Sequence, residues 1–467
     1  MTAVLVDVEH PMLLPLPPAT SAPALLIGGK PLSWAVLWQQ VASAHQQLQR
    51  LRLEPGDRLL LIGAANVGQI AYLLAGWQLG LIAVPLNPRL PHPELYRRTA
   101  LVAPSAGFWP SGPPNPPWTN LPPPGHGLGI EPLPWPEAEL LADLVFTSGS
   151  GGAPRIVAHS FANHWHSAQG MAALLKLEAH HRYLLSLPLA HVGGLALIWR
   201  WLLSGCTLVL PQAGLSLAEQ VARDQISHLS LVAAQLERLL AELAGRATLE
   251  TLLLGGGPVP PALLAVARGR GWRCLMSYGL TEMTATVTAG EQGGCGKPLP
   301  GRELMISAGG EILLRGTTLA AGIWQQGALL PLAGNDGWYA SGDLGHLDPW
   351  GNLQVTGRRD AQFVSGGENI QPERIEAVLL AHPGIRRALV VGVPHPHWGM
   401  RPVAYLDGDD LTLTDVRTFA AQHLARYEMP DAILPWPPQQ NGLKPDRRQW
   451  QQQASVLLAD LLANGKQ

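Results

Sequence analysis

Leu141-Ala142-Asp143-Leu144-Val145-Phe146 runs straight into Thr147-Ser148-Gly149-Ser150-Gly151-Gly152-Ala153-Pro154-Arg155. The six residues read as a strand, and the nine that follow as the loop it delivers. Gly149, Gly151 and Gly152 let the backbone turn with its N–H groups converging, and the hydroxyls of Thr147, Ser148 and Ser150 add donors. Such a loop can cradle an oxygen-rich anion such as a phosphate. It is not the Walker loop, because no Gly-Lys-Ser/Thr follows the glycines. Taken alone, a plain Gly/Ser turn between strands fits it equally well.

On the N-terminal side, Leu59 to Pro88 contains no charged residue and is long enough to cross a bilayer. Gly63, Asn66, Gly68, Gln69, Gly76, Gln78 and Gly80 instead divide it into a strand (Arg58 to Ile62), a helix (Val67 to Leu79) and a strand (Leu81 to Val84). That is a buried βαβ unit, and no membrane span is expected. On the C-terminal side, apolar strands at Tyr183 to Leu187, Thr207 to Leu210, Leu229 to Val232, Thr251 to Leu254 and Arg273 to Met276 alternate with helical stretches. The alternation implies mainly parallel α/β sheets. Twelve prolines between Pro104 and Pro136 forbid helix and central strand, so this segment reads as a surface excursion. From Gly309 the texture changes to short strands and turns, and a new α+β pattern begins after Gly357. The boundary is placed there, giving a large domain at 1–357 and a small one at 358–467.

The 467 residues exceed what one hydrophobic core usually serves, and 47% hydrophobic content supplies ample core. A formal charge of -2, from 32 basic and 34 acidic residues, leaves no electrostatic footprint for nucleic acid. Cys206, Cys274 and Cys295 are odd in number and in no CxxC spacing. They argue for a reducing, cytoplasmic setting and against a disulfide framework or a zinc site. The N-terminus lacks a signal peptide's basic start and apolar block.

Five further segments carry chemistry. Ser277-Tyr278-Gly279-Leu280-Thr281-Glu282 follows an apolar strand, and ligands in open α/β sheets bind outside the carboxyl ends of strands. Tyr278 can stack on a base, Thr281 can donate to a phosphate and Glu282 can hold Mg²⁺; a core tyrosine beside a solvated glutamate is the plainer reading. Gly255-Gly256-Gly257 offers bare backbone to a flat ligand, or is simply a turn. In Trp338-Tyr339-Ala340-Ser341-Gly342-Asp343-Leu344-Gly345, Asp343 can accept from both hydroxyls of a ribose. Arg358 follows it fifteen residues on. Ser365-Gly366-Gly367-Glu368-Asn369-Ile370 is a Gly-rich turn, and Gly442-Leu443-Lys444 closes the series.

In this order and spacing the segments resemble the adenylate-forming superfamily of acyl-CoA synthetases, adenylation domains and luciferases, over essentially the whole chain. Leu184 to Leu202 (L-L-S-L-P-L-A-H-V-G-G-L-A-L-I-W-R-W-L) and Ser167 to Gly170 (S-A-Q-G) look like the o-succinylbenzoate–CoA ligases of menaquinone and phylloquinone biosynthesis. The resemblance implies a large N-terminal domain and a small mobile C-terminal one, with ATP, Mg²⁺, coenzyme A and a carboxylic acid as the small-molecule partners. It leaves monomer or homodimer open. It places Thr147, Ser148, Gly149, Ser150, Gly151, Gly152 and Arg155 on the β/γ-phosphates, and Thr281 on the α-phosphate. Glu282 takes the metal, Tyr278, Gly279 and Gly255 to Gly257 adenine, and Asp343 with Arg358 the ribose. Lys444 is the catalytic cation of the first step, Asp360 the hinge, and Gly366 and Gly367 line the thiol tunnel.

The chain departs from the family's usual loop at Gly151, where a hydroxyl residue is customary, and at Arg155, where lysine is. One missing donor to a charged group costs roughly 1.5 to 3 kcal/mol, which implies an altered but working loop. For the acid, Arg200 is singled out on an otherwise apolar helix, since a buried cation needs an anion and o-succinylbenzoate has a second carboxylate to offer. A structural ion pair is the alternative. His191 and Gly194 complete the expected acid pocket. Another acid–CoA ligase, a carrier-protein adenylation domain, or a non-catalytic adenylate binder are the competing functions. Joint retention of Glu282, Asp343 and Lys444 speaks against the last.

Overall fold

The computed structural model describes residues 21–112, 116–125, 127, 136–148, 154–243, 247–395, 397–408, 412–437 and 447–463. Among these, two large sheets dominate. One has nine strands, in the order Lys297–Pro298, Ala285–Gly290, Arg273–Leu280, Thr251–Leu254, His228–Leu231, Arg182–Leu184, Thr207–Val209, Leu25–Ile27, Lys30–Leu32. The other has eight, in the order Ala328–Leu330, Gly322–Gln325, Pro154–Ser160, Leu141–Ser148, Ile82–Leu86, Arg58–Ile62, Ala106–Phe108, Thr119–Asn120. Parallel pairing holds the middle of each, as the apolar strands implied; antiparallel pairs close both edges of the nine-stranded sheet and one edge of the eight-stranded one, whose other edge, Thr119–Asn120, is parallel.

Strand periodicity explains the layering. Successive side chains point to opposite faces, so Leu59 and Leu61 join one core while Leu60 and Ile62 join another. Leu253 likewise enters the first core, and Leu252 and Leu254 a third. The first core lies between the two sheets and is filled by the helices Trp34–Arg50, Val67–Gln78, Phe161–Leu175 and Val192–Ser204. A helix walled in on all sides must be apolar all round. Val67–Gln78 accordingly buries Gln69 through Trp77 without a break, and its Asn66 cap accepts from the Gln69 N–H. The uncharged stretch is a core helix with its strands, and no helix among the described residues is long and apolar enough to cross a membrane. Two indole N–H groups caught in this core find carbonyls: Trp77 donates to Ala142 at 2.9 Å and Trp201 to Ala24 at 3.0 Å.

The proline-rich segment departs from its reading as a surface excursion. It supplies two strands at the edge of the eight-stranded sheet, and Phe108, Trp109, Trp118 and Leu121 are buried. The prolines restrict where strands form, while the aromatic residues between them tie the segment down.

After Gly301 a separate antiparallel sheet forms from Arg302–Ile306, Glu311–Gly316, Tyr339–Leu347 and Leu353–Arg358. A last sheet uses only residues of the C-terminal part: Phe363–Ser365, Glu368–Ile370, Ile385–His395, Gly399–Gly408 and Ala432–Pro435. The helices Pro372–Leu380, Leu413–Ala421 and Arg447–Ala463 accompany it. The C-terminal sheet meets the rest at Arg387, whose guanidinium reaches Glu237 at 2.9 Å.

Candidate active site

The phosphate-type loop is the connection of an antiparallel hairpin. Leu141–Ser148 takes in Thr147 and Ser148, which the sequence assigned to the loop, and pairs with Pro154–Ser160 so that Thr147 faces Arg155. Gly149, Ser150, Gly151 and Gly152 lie outside the described residues. The Arg155 guanidinium points across the mouth of the hairpin, 3.7 Å from the Glu282 carboxylate.

Ser277 to Leu280 correct the expectation that this segment follows a strand: the strand continues through them as Arg273–Leu280 and turns back as Ala285–Gly290. The ladder slips between Tyr278 and Gly279, a bulge that re-aims the following residues. A Cβ on Gly279 would stand 1.8 Å from the Ala285 carbonyl, so only glycine permits this crossing. Thr281–Met283 then makes a single 3-10 turn that presents Glu282 beside Arg155. Tyr278, expected beside a base, joins a small core with Met283, Val287, Ile312 and Leu314, and its hydroxyl donates to Asp343 at 2.6 Å. Burial, followed by the Asp343 charge, pushes this phenol far above its ordinary range.

Asp343 and Arg358 are direct cross-strand partners. Tyr278 takes one Asp343 oxygen, and Arg358 holds the other at 3.0 Å. Arg358 also donates to Asp360 at 3.0 and 3.3 Å. These bonds, with that to Asp360 first, raise the guanidinium's proton affinity further. Gly255 sits at the end of Thr251–Leu254, where a Cβ would meet the Ser277 hydroxyl at 2.5 Å. Gly256 has φ +81°, and a Cβ on Gly257 would meet nothing within 4 Å, so bare backbone faces outward here.

A cluster the sequence did not single out lies directly behind these segments. Asp143, His159 and His164 are each 0% exposed. His159 Nδ1 is 2.7 Å from Asp143 Oδ1 and its Nε2 is 2.8 Å from the Thr281 carbonyl; His164 Nε2 is 2.5 Å from Asp143 Oδ2. The signal was present in the opening stretch as one acid in an otherwise apolar strand.

Arg200 is 2% exposed on Val192–Ser204, a helix buried from Gly194 to Leu202. Its Nη atoms reach only Tyr183 Oη at 3.3 Å and Thr286 Oγ1 at 3.4 Å, and its Nε has no partner. No acid pairs with it among the described residues, so the structural ion pair is not what holds it. Thr286 is the ladder partner of Gly279, which puts this cation next to the Tyr278–Glu282 turn. A second buried arginine, Arg302, spends its N–H groups on the carbonyls of Thr286, Pro300, His166 and Ser167. Burial, and then the charge of Arg200, brings Arg302 down to about 10.

Known proteins resemble the chain at both levels. The AMP-binding enzyme model matches residues 18–324, and the AMP-binding enzyme C-terminal domain matches 374–439. The chain belongs to the AMP-binding enzyme family. The 2-succinylbenzoate–CoA ligase of Salmonella typhimurium is 35% identical over 453 residues, 93% of this chain and 95% of that protein. An Escherichia coli MenE variant with bound OSB-AMS matches with TM-score 0.84 and 32% identity, covering 93% of this chain and 95% of that one. The o-succinylbenzoate coenzyme A synthetase MenE of Bacillus subtilis, in complex with ATP and magnesium ion, matches with TM-score 0.81 and 27% identity, covering 92% and 96%.

In this AMP-binding enzyme the structure brings together Thr147, Arg155, Gly255, Tyr278, Glu282, Asp343, Arg358 and Asp360. His191 is exposed and begins the Arg200 helix. Gly194, expected at the acid, has a packing reason: a Cβ there would stand 2.2 Å from the Pro188 carbonyl. Gly366 and Gly367 form a two-residue hairpin turn, with φ +59° and +90°, between Phe363–Ser365 and Glu368–Ile370. Both positive φ values belong to a type I′ turn, which explains the pair of glycines. Lys444 lies outside the described residues.

Proposed function

We propose that this chain is an AMP-forming acid–thiol ligase that converts o-succinylbenzoate to o-succinylbenzoyl-CoA in menaquinone or phylloquinone synthesis, in the cytoplasm. The observation that carries the acid assignment is Arg200. A buried cation with one N–H unsatisfied and no acid beside it among the described residues is stabilised by a ligand carboxylate, and o-succinylbenzoate has one left over after the other reacts.

Chemistry proceeds in two displacements. An oxygen of the activated carboxylate bonds to the α-phosphorus of ATP, and pyrophosphate leaves with the electrons of the broken P–O bond. The CoA thiolate then bonds to the acyl carbon, and AMP leaves as the C–O bond breaks. For the first, the protein must align two anions and neutralise spreading charge. Thr147, Ser148, Arg155 and the glycine loop hold the β/γ-phosphates, Thr281 the α-phosphate, and Lys444 the developing charge. Arg155 lengthens the reach of the usual lysine and, resting on Glu282, is already at the mouth of the site. Gly255 to Gly257, Gly279 and Tyr278 flank adenine, with the Tyr278 hydroxyl anchored on Asp343. Asp343, steadied by Tyr278 and Arg358, takes the ribose. Glu282 would hold a magnesium ion, an oxygen donor beside substrate phosphates being that ion's usual set, and the ion would supply neutralising positive charge there.

For the second displacement, residues 358–467 act as a small domain turning at Asp360 and bringing Gly366 and Gly367 to the thiol's path. Arg358 bonds acids on both sides of that junction. ATP–pyrophosphate exchange with o-succinylbenzoate, benzoate, acetate and octanoate, followed by thioester detection with CoA, tests the assignment. Exchange favouring an acid without a second carboxylate would overturn it.

A further inference from the structure

The geometry points to a proton-dependent brace behind the adenylation site. Asp143, His159 and His164 offer the donor set of a metal site, but their contacts are those of shared protons. Two ligands at ~2.1 Å on a tetrahedral ion stand roughly 3.4 Å apart, whereas these oxygens and nitrogens stand 2.5 and 2.7 Å apart.

Hydrogen-bond bookkeeping sets the protonation. A backbone carbonyl only accepts, and so does an ionised carboxylate. His159 has one of each on its two ring nitrogens, so both nitrogens must donate and the ring is an imidazolium. His164 has Asp143 on Nε2 and no partner on Nδ1, so it is neutral with its proton on Nε2. One cation, one anion and one neutral ring leave the fully buried cluster without net charge, as low-dielectric surroundings require. The titratable groups facing His159 are Asp143 from its partner strand, the neutral His164 from Phe161–Leu175, and Glu282 beyond the Thr281 carbonyl, itself beside Arg155. Burial opposes the charge on His159, but Asp143 outweighs it and raises its affinity for the proton; burial keeps His164 low.

We propose that His159 is a positioning residue for adenylation: braced by Asp143 and His164, it holds the Thr281 carbonyl, and through it the Glu282 carboxylate, against the strand pair that carries the phosphate loop. The inference deepens the role of Glu282 given above and rests on it. Loss of the proton as pH rises through the raised value would leave one of the two acceptors without a donor, and the turn would loosen.

The first test needs no variant. In ¹⁵N-histidine-labelled protein at pH 7.5, one histidine, assigned by its loss in His159→Gln, should carry protons on both nitrogens, and a second only on Nε2. A His159 ring with one bare nitrogen at that pH would overturn the proposal, as would finding both rings neutral in the unassigned wild-type spectrum should the variant not fold. The second test is ATP–pyrophosphate exchange against Mg²⁺ concentration. His159→Gln should raise the half-saturating Mg²⁺ about ten-fold, the loss expected for one charged hydrogen bond, with the KM for o-succinylbenzoate within about two-fold. It should leave thioester formation from supplied acyl-adenylate unchanged. Glu282→Gln, run in parallel, separates the two claims. If it leaves the Mg²⁺ dependence unmoved, the metal assignment fails while the labelling result still judges the brace. If it shifts the dependence and His159→Gln does not, the brace fails.

Discussion

Replacing Arg200 with leucine removes a charge that the fold itself hardly uses. Its contacts with Tyr183 and Thr286 are 3.3 and 3.4 Å long, at the weak end of hydrogen bonding, and its Nε is unsatisfied. A buried cation without an anion destabilises the empty protein, so Arg200→Leu should melt no lower than the parent. Catalysis should respond in the opposite direction. Two hydrogen bonds from a guanidinium to a carboxylate contribute about 1.5 to 3 kcal/mol each, less the desolvation of the pair. A net loss of ~3 to 4 kcal/mol, about 10² to 10³ in kcat/KM for o-succinylbenzoate, is expected. An aryl acid lacking the second carboxylate should lose less than about ten-fold. The assay is initial-rate pyrophosphate release with both acids on one preparation, with thermal unfolding alongside. Arg200→Lys keeps the charge but not the fork and should fall between. Equal losses for the two acids, or a large drop in melting temperature, would make Arg200 a structural residue and remove the main support for the substrate.

Asp343→Ala should raise the KM for ATP about 100-fold, the worth of two hydrogen bonds to a charged acceptor, with the KM for the acid nearly constant; an unchanged KM for ATP sinks the ribose assignment. Lys444→Ala should abolish adenylate formation yet still convert supplied acyl-adenylate to thioester, whereas Gly366→Leu, whose Cβ would stand 2.8 Å from the Trp398 ring at φ +59°, should do the reverse. Equal damage to both steps by Lys444→Ala argues against a domain used in alternation. His228 is held neutral down to about 4, first by burial, while its Nε2 bonds the Leu175 carbonyl at 3.0 Å. Between its ordinary value near 6.5 and 4 the unfolded chain binds the extra proton, so stability should fall as pH drops through that window, by up to roughly 3 kcal/mol. Urea unfolding at pH 7 and pH 4.5 measures it, and His228→Leu should flatten the difference.

What the sequence revealed follows the range over which each force acts. Strand and helix placement around Arg58 to Leu86 was legible because burial on two faces leaves an uninterrupted apolar run, and punctuation by Gly and Asn marks its corners. The proline-rich segment misled because prolines report on local dihedral angles and say nothing of the two tryptophans that anchor it from afar. The strand bearing Tyr278 was cut short for a related reason. It runs four residues further than the apolar pattern does, since Ser277 and Gly279 are held by a hairpin partner rather than by burial alone. The histidine cluster escaped because Asp143 and His164 are separated by 21 positions and meet only through the hairpin and the helix after it.

The hydrogen bonding around Asp343 bears on how nucleotide would enter. A carboxylate has about four lone-pair sites, and here Tyr278 and Arg358 occupy one on each oxygen. Two remain, one per oxygen, which is the number a ribose diol needs. Both resident donors fix the plane of the carboxylate: Tyr278 from the bulged strand next to Glu282, Arg358 from the strand paired with Asp343's own. On the proposed ribose assignment, binding would require no bond to be broken and no side chain to reorient, and the entropy of ordering Asp343 would already have been met in folding. Arg358 does a second thing at once, because its remaining nitrogens hold Asp360. The same guanidinium thus couples the nucleotide's acid to the junction about which the small domain is proposed to turn. A rotation at Asp360 that broke the Arg358–Asp360 pair would leave the Arg358–Asp343 bond intact, and AMP could stay seated while the thiol's path is assembled.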